Sequence, residues 1–201
     1  KLPWIDTRSA LLKSAKAGKA VYEPLNSHWT PYGGYVAWQA ISKCLATDKG
    51  LDKVGVPALD RIAVEENLNE FAGNGVPNGK PVRTVPVYTA PLPATTMTKY
   101  PSGEPIAADP YGGLDAFFLP AVTSTPGALS DQTLLVYRDS TGSGLSPLWT
   151  YSFAKTAQYH HGILTTQSKP VKLAKAIKAH SPDLFLYVIS ERNLDGMPPK
   201  A

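Results

Sequence analysis

One cysteine, Cys44, stands in 201 residues, so neither an intrachain disulfide framework nor a cysteine-built metal site is available. Long apolar runs are also missing. Nowhere do about 18 apolar residues follow one another, as a bilayer-spanning helix requires, and the first residues lack the basic-then-apolar layout of a signal peptide. Charge of one sign is scarce as well: the formal net charge is +4, and Lys172, Lys175 and Lys178 are interrupted by apolar residues, so nucleic acid is not an expected partner. There is no internal repeat. The chain opens at Lys1 on an apolar segment without an initiator methionine, which reads as a processed protein or an excised fragment. The missing leader is therefore no argument against export.

What is present is 43% hydrophobic content, enough for one substantial core, and a single domain over 1–201 is expected. Asp6 or Thr7 caps a first helix that Gly18 stops, and a strand-like Ala20-Val21-Tyr22 follows. Thr30 then offers an N-cap with Pro31 at the first helical position. Tyr35, Val36, Trp38, Ile41, Cys44 and Leu45 fit the apolar face of a helix ending before Asp48. From about 73 to 127 prolines recur every few residues, which predicts a long excursion with short strands such as 83–89, and Phe117-Phe118-Leu119 read as buried within it. The last third has α/β grammar: strand 133–137, a Gly/Ser loop, a helix from Ser146 to about Lys155, a helix over 171–179 and a strand over 184–189. Apolar strands joined by helices predict a parallel sheet covered on both faces, and the class is α/β.

Ser140 follows the strand in Leu134-Leu135-Val136-Tyr137-Arg138-Asp139-Ser140-Thr141-Gly142-Ser143-Gly144, at the strand end where open parallel sheets bind ligands. A serine there can be a nucleophile, with nearby backbone N–H groups facing an oxyanion, or it can simply cap the turn. A nucleophilic serine needs a base, and histidine is the usual one. His180 stands near a helix end, where a cation favours the dipole, so a capping role is expected of it. His160 and His161 end the segment after the serine helix and read as surface or packing residues. No metal spacing includes them. His28 sits in Leu25-Asn26-Ser27-His28-Trp29-Thr30-Pro31-Tyr32-Gly33, ahead of a capped helix. It is a candidate base or a histidine ordered by local hydrogen bonds.

The segment Asn26-Ser27-His28-Trp29-Thr30-Pro31-Tyr32-Gly33 resembles the Asp-x-His-Trp-Thr-x-x-Gly pattern of the alginate O-acetyltransferases of the AlgX and AlgJ type, a branch of the SGNH hydrolase superfamily. Trp4 to Leu12, Asp139-Ser140, and Ser181-Pro182-Asp183 followed by an apolar strand and Glu191-Arg192-Asn193-Leu194 are similar to further segments of that branch, in the same order. The resemblance covers 1–46 and 131–194 and passes over the proline-rich middle, which reads as an insertion. It implies an SGNH-like domain lacking an N-terminal portion with at least one strand. It also implies a serine-dependent O-acetyltransferase or acetylesterase without a cofactor or metal, acting on an exported polysaccharide in the periplasm or outside the cell. Other polysaccharide acetylation or export proteins are possible partners. Ser140, His28 and Asn26 would be catalytic, with Trp29, Tyr32, Asp139 and Gly142 touching substrate. Ser140 and His28 are expected to face each other in one cleft. Asn26 departs from the family aspartate, which orients the histidine and stabilises its cation, and Asp139 is a carboxylate that could stand in. The departure keeps a second reading open, a catalytically silent polysaccharide-binding or assembly protein.

Overall fold

A computed structural model of the chain describes residues 4–67, 69–76, 81–106, 119–161 and 171–191. The chain divides into two compact units, Lys1–Leu92 and Pro93–Ala201. Phe117 and Phe118, and most of the segment from Glu191 to Leu194, lie outside the described residues.

The first unit is built on two helices and a two-stranded ribbon: α1 (Arg8–Lys16), α2 (Pro31–Lys49), β1 (Leu59–Glu66) and β2 (Val82–Tyr88). Thr7 is the N-cap of α1, but Asp6 does the capping, its carboxylate accepting the Arg8 N–H at 2.8 Å. The start of α2 follows its sequence signals, because Thr30 Oγ1 accepts the Gly33 N–H at 2.9 Å and Pro31 opens the helix. The helix runs past Asp48 to Lys49, since the left-handed residue that ends it is Gly50, with φ 66°. Tyr35, Val36, Trp38, Ile41 and Leu45 are buried on one face, and α2 packs against α1 and β2. The expected strand at 20–22 is reduced to one antiparallel bridge, Tyr22 with Trp29. β1 pairs antiparallel with β2. It was not expected, because Asp60, Arg61, Glu65 and Glu66 obscure the alternation. Each strand of a two-stranded ribbon is an edge, so Pro86 is tolerated inside β2.

The second unit carries a six-stranded sheet of β3 (Thr96–Lys99), β4 (Pro105–Ile106), β5 (Ala121–Ser124), β6 (Ser130–Arg138), β7 (Phe153–His160) and β8 (Leu184–Val188), in the order β4-β3-β5-β7-β6-β8. The strands of the last third are parallel, as expected, with β6 between β7 and β8, while the strands of the proline-rich stretch extend the sheet antiparallel, through β5–β7, β3–β5 and β3–β4. Leu134, Leu135 and Val136 are sealed from solvent on β6, an inner strand between β7 and β8, as a strand covered on both faces requires. The proline-rich stretch supplies half of this sheet. Its prolines fall where strands tolerate them: Pro105 opens the edge strand β4, Pro120 precedes β5 and Pro101 stands in a turn.

The helix expected from Ser146 to Lys155 stops at Ser152. From Phe153 the chain is β7, because Phe153, Ala157 and Tyr159 bury in the core beside β6. Helix α3 (Ser146–Ser152) packs against β7, and α4 (Leu173–His180) packs against β6. His180 ends α4, where a capping cation was expected, but its surroundings are those of a packed core residue. It is buried, its Nε2 lies 2.6 Å from the Tyr159 hydroxyl, and its ring meets Tyr100 edge-on at 4.8 Å. Burial first, and then the charge of Lys155, hold its pKa below the ordinary value.

Candidate active site

In the first unit the loop before α2 is fixed from both sides. Thr30 is fully buried, and its hydroxyl donates to the Ala20 carbonyl at 3.1 Å and accepts from Thr84 on β2 at 2.8 Å. Its N–H bonds the Val21 carbonyl at 3.0 Å. Gly33 belongs here because a Cβ would stand 2.1 Å from Val21 O and 3.0 Å from the Trp29 Cβ. The glycine of the His-Trp-Thr-x-x-Gly pattern thus has a packing reason: the backbones of α2 and of Val21 approach too closely for any side chain.

Six residues are enclosed between Tyr22 and Trp29, and His28 is the last of them. Asn26 Oδ1 accepts two bonds, the His28 main-chain N–H at 3.0 Å and the ring Nδ1 at 2.8 Å. The main-chain group can only donate, which identifies the Asn26 atom as the oxygen and places a proton on Nδ1. The lone pair is then on Nε2, the tautomer a general base requires. Ser27 Oγ is 3.4 Å from the same Nδ1. Glu70 closes the group: it accepts the Ser27 N–H at 2.7 Å and the Ser27 hydroxyl at 3.0 Å, and its Oε2 lies 3.8 Å from His28 Nδ1.

In the second unit, Ser140 is the first residue of a 3-10 turn (Ser140–Leu145) leaving the end of β6, and is half-buried. The carboxyl ends of the three parallel strands converge around it. Asp139 joins them: Oδ1 accepts the Thr141 N–H at 2.9 Å, and Oδ2 accepts the N–H and hydroxyl of Ser190, just past β8, each at 2.8 Å. His161, just past β7, places Nε2 3.7 Å from Oδ2. Burial raises the Asp139 pKa, but the nearby His161 ring and the hydrogen bonds from Ser190 and Thr141 outweigh it and hold the carboxyl well below the usual range. Beneath the turn lies Arg138, sealed from solvent, donating to Gln158 Oε1 at 3.0 Å, to the Asp139 carbonyl at 3.1 Å and to Ser143 Oγ at 3.2 Å. A Cβ on Gly142 would stand 2.4 Å from the Arg138 Cδ and 2.8 Å from its Cβ.

The residues expected to touch substrate have work inside the fold. Trp29 is buried against Gly33, and Tyr32 is buried with its hydroxyl 3.4 Å from Ser14 Oγ and its ring stacked on Tyr35. Asp139 is buried with both oxygens engaged, and Gly142 makes room for Arg138. The N–H groups of Thr141 and Gly142, candidates for an oxyanion, are given to Asp139 Oδ1 and to the Asp139 carbonyl at 3.1 Å. The carboxylate beside the His28 ring is Glu70. Sequence reasoning missed Glu70, Arg138, Gln158 and Ser190. Only Arg138 left a signal, as a charge ending an apolar strand. Among the described residues no group of three or more His, Cys, Asp or Glu is placed to hold a metal ion, and no helix is long and apolar enough to cross a membrane.

No known family and no curated protein matches the sequence. Solved structures do match the fold. A DHHW family protein from Eubacterium siraeum superposes with a TM-score of 0.61 at 17% identity, over 97% of this chain and 66% of that one. Bacillus cereus PatB1 gives 0.62 at 15% identity, over 92% of this chain and 68% of that one. The chain has an SGNH-like fold. The O-acetyltransferase domain of Pseudomonas putida AlgJ also matches, at 15% identity with a TM-score of 0.48. The chain spans about two thirds of the first two proteins and 61% of the AlgJ domain.

Proposed function

We propose that the chain is a serine-dependent O-acetyltransferase or acetylesterase acting on an exported polysaccharide, in the periplasm or outside the cell. Ser140 is the nucleophile, His28 its base and Asn26 the residue that holds the ring. The observation that carries this reading is the paired acceptance by Asn26 Oδ1 of the His28 main-chain N–H and Nδ1–H, which fixes the ring in the base tautomer. Support for the nucleophile is its place at the carboxyl end of β6, between two parallel neighbours, where such sheets put their chemistry. The substrate class rests on the motif resemblance.

The chemistry balances on these residues. Ser140 Oγ bonds to the acetyl carbon as its proton passes to His28 Nε2, the acyl–oxygen bond breaks, and the leaving alcohol takes the proton from the imidazolium. Water, or a sugar hydroxyl in the transfer reaction, reverses the sequence and frees the serine.

Acetate release from an activated acetyl ester tests the reading, together with covalent labelling by an aromatic sulfonyl fluoride; a PatB1 structure carries a sulfonyl adduct. Ser140→Ala should lose both activity and label while keeping its thermal midpoint. His28→Gln should label at least a hundredfold more slowly, because an unactivated serine hydroxyl is a weak nucleophile. Labelling of Ser140 at the same rate without His28 would break the pair.

A second reading has its own observation. Asn26 offers the ring an acceptor but no charge, as in a site that has lost catalysis and retains polysaccharide binding or assembly. It predicts binding to acetylated polymer that Ser140→Ala leaves unchanged, and no acetate release from the parent chain.

A further inference from the structure

We infer that Glu70 supplies the negative charge that Asn26 cannot, so that orientation and charge stabilisation, combined in one aspartate in the motif this loop resembles, are divided here between two residues. The inference rests on the proposed role of His28 as base. It draws on the geometry of the first unit alone.

Asn26 performs the orienting half. It fixes the Nδ1 proton at 2.8 Å, but its amide is neutral. When Nε2 accepts the Ser140 proton the ring becomes a cation, and a neutral acceptor stabilises a cation less than a carboxylate does. Glu70 Oε2 is 3.8 Å from the same Nδ1. It is held there by its main-chain N–H on the Leu25 carbonyl at 3.0 Å and by a two-pronged grip on Ser27, through N–H at 2.7 Å and hydroxyl at 3.0 Å. That grip matters because a free glutamate would sample many rotamers and spend little time beside the ring. Ser27, the variable position of the motif, thereby acquires a function: it positions the carboxylate. Among the described residues, Glu23 and Arg83 are two further charged groups near this corner. Glu23 is buried and receives a hydrogen bond from Asn67, and Arg83 lies 3.5 Å from Glu65. Burial raises the Glu23 pKa, the Asn67 bond and Arg83 lower it, and Glu70 raises it. Glu70 reaches both Ser27 and the ring.

The size of the effect follows from exposure. The Glu70 side chain is 40% exposed and that of His28 27%, so water screens the attraction, and at this separation a screened ion pair changes a rate by roughly tenfold. This is far less than the loss expected when the tautomer itself is misplaced, about 10⁴ in a serine protease triad, because Asn26 preserves the tautomer.

The test is a double-mutant cycle on acetate release from an activated acetyl ester, begun only with a chain whose activity Ser140→Ala abolishes. Failure of that first condition removes the enzymatic reading, whereas the cycle addresses Glu70 alone. Glu70→Gln keeps an acceptor for Ser27 and removes the charge. It should lower kcat about tenfold with KM and thermal midpoint unchanged. In an Asn26→Asp background, which restores a charge directly on Nδ1, the same Glu70→Gln change should cost less than threefold. Ser27→Ala, which frees the carboxylate from one of its two tethers, should lower kcat in the same direction by a smaller factor. Equal losses from Glu70→Gln in both backgrounds, or no loss in the Asn26 chain, would overturn the inference, since damage to loop structure would not depend on the charge at position 26.

Discussion

Replacing Gly33 by alanine tests the account of the His28 loop most directly, because alanine is the better helix former and would ordinarily stabilise a helix by up to about 1 kcal/mol. Here the new methyl carbon would stand 2.1 Å from Val21 O, and ordinary contact begins at 3.4 Å, so the carbonyl must retreat by roughly 1.3 Å. That carbonyl accepts the Thr30 N–H at 3.0 Å, and Thr30 is fully buried. Stretching the bond leaves a buried donor unsatisfied, at about 1–3 kcal/mol, and shifting packed backbone adds about 1–3 kcal/mol. Against the propensity gain, the net loss should be about 2–4 kcal/mol. Urea unfolding followed by tryptophan fluorescence reads it, since Trp29 and Trp38 are buried in this unit. Gly73→Ala is the control: its Cβ meets nothing within 4 Å and its φ is not positive, so the midpoint should stay within about 0.5 kcal/mol of the parent. Acetate release should fall with Gly33→Ala as well, because Val21 precedes the bridge that bounds the loop. A Gly33→Ala chain as stable as the parent would refute the packing argument.

Two other outcomes are expected. Asn26→Asp should raise kcat at least tenfold, about 1.4 kcal/mol of barrier, by putting a charge in direct contact with Nδ1; no rise, with the ring still bonded to residue 26, favours the silent reading. The thermal midpoint should drop between pH 7.5 and pH 5. Burial and Lys155 depress the His180 pKa, and burial, His161 and Arg138 depress that of His160 while Asp139 raises it. A depressed folded value means that the unfolded chain binds protons first, so these groups' stability is fully present above the ordinary 6.5 and lost as pH falls through the folded values. His180→Gln should shrink the drop, and an unchanged drop would remove His180 from the explanation.

Where a sequence signal is local, the structure follows it. Thr30, Pro31 and the apolar spacing from Tyr35 to Leu45 specify α2 within a few residues, and Leu134 to Val136 announce a buried inner strand. The misses come from tertiary context. Thr156 and Gln158 sit on β7 with no exposure at all, between β5 and β6, yet as residue types they argue against a core strand, and the preceding Ser-Pro start suggested a longer helix. Prolines read as breakers turned out to punctuate strands. At the site, His28 and Asn26 were legible because two positions of one loop carry the pattern. Glu70 was not, because it reaches Ser27 in that loop from 43 residues downstream through bonds that leave no spacing in the sequence.

The bond from Ser190 to Asp139 also fixes a sequence of events. The ribosome makes this chain from its first residue onward, and the turn carrying Ser140 emerges fifty residues before the N–H and hydroxyl that its buried carboxylate needs. Until Ser190 arrives, Asp139 lacks the two donors that hold its Oδ2, and a carboxylate with donors missing stays in water. The turn that presents the serine therefore takes its final shape only after β8 and Ser190 have been made, and a chain cut short before β8 would have the serine in place in its sequence without the turn that presents it.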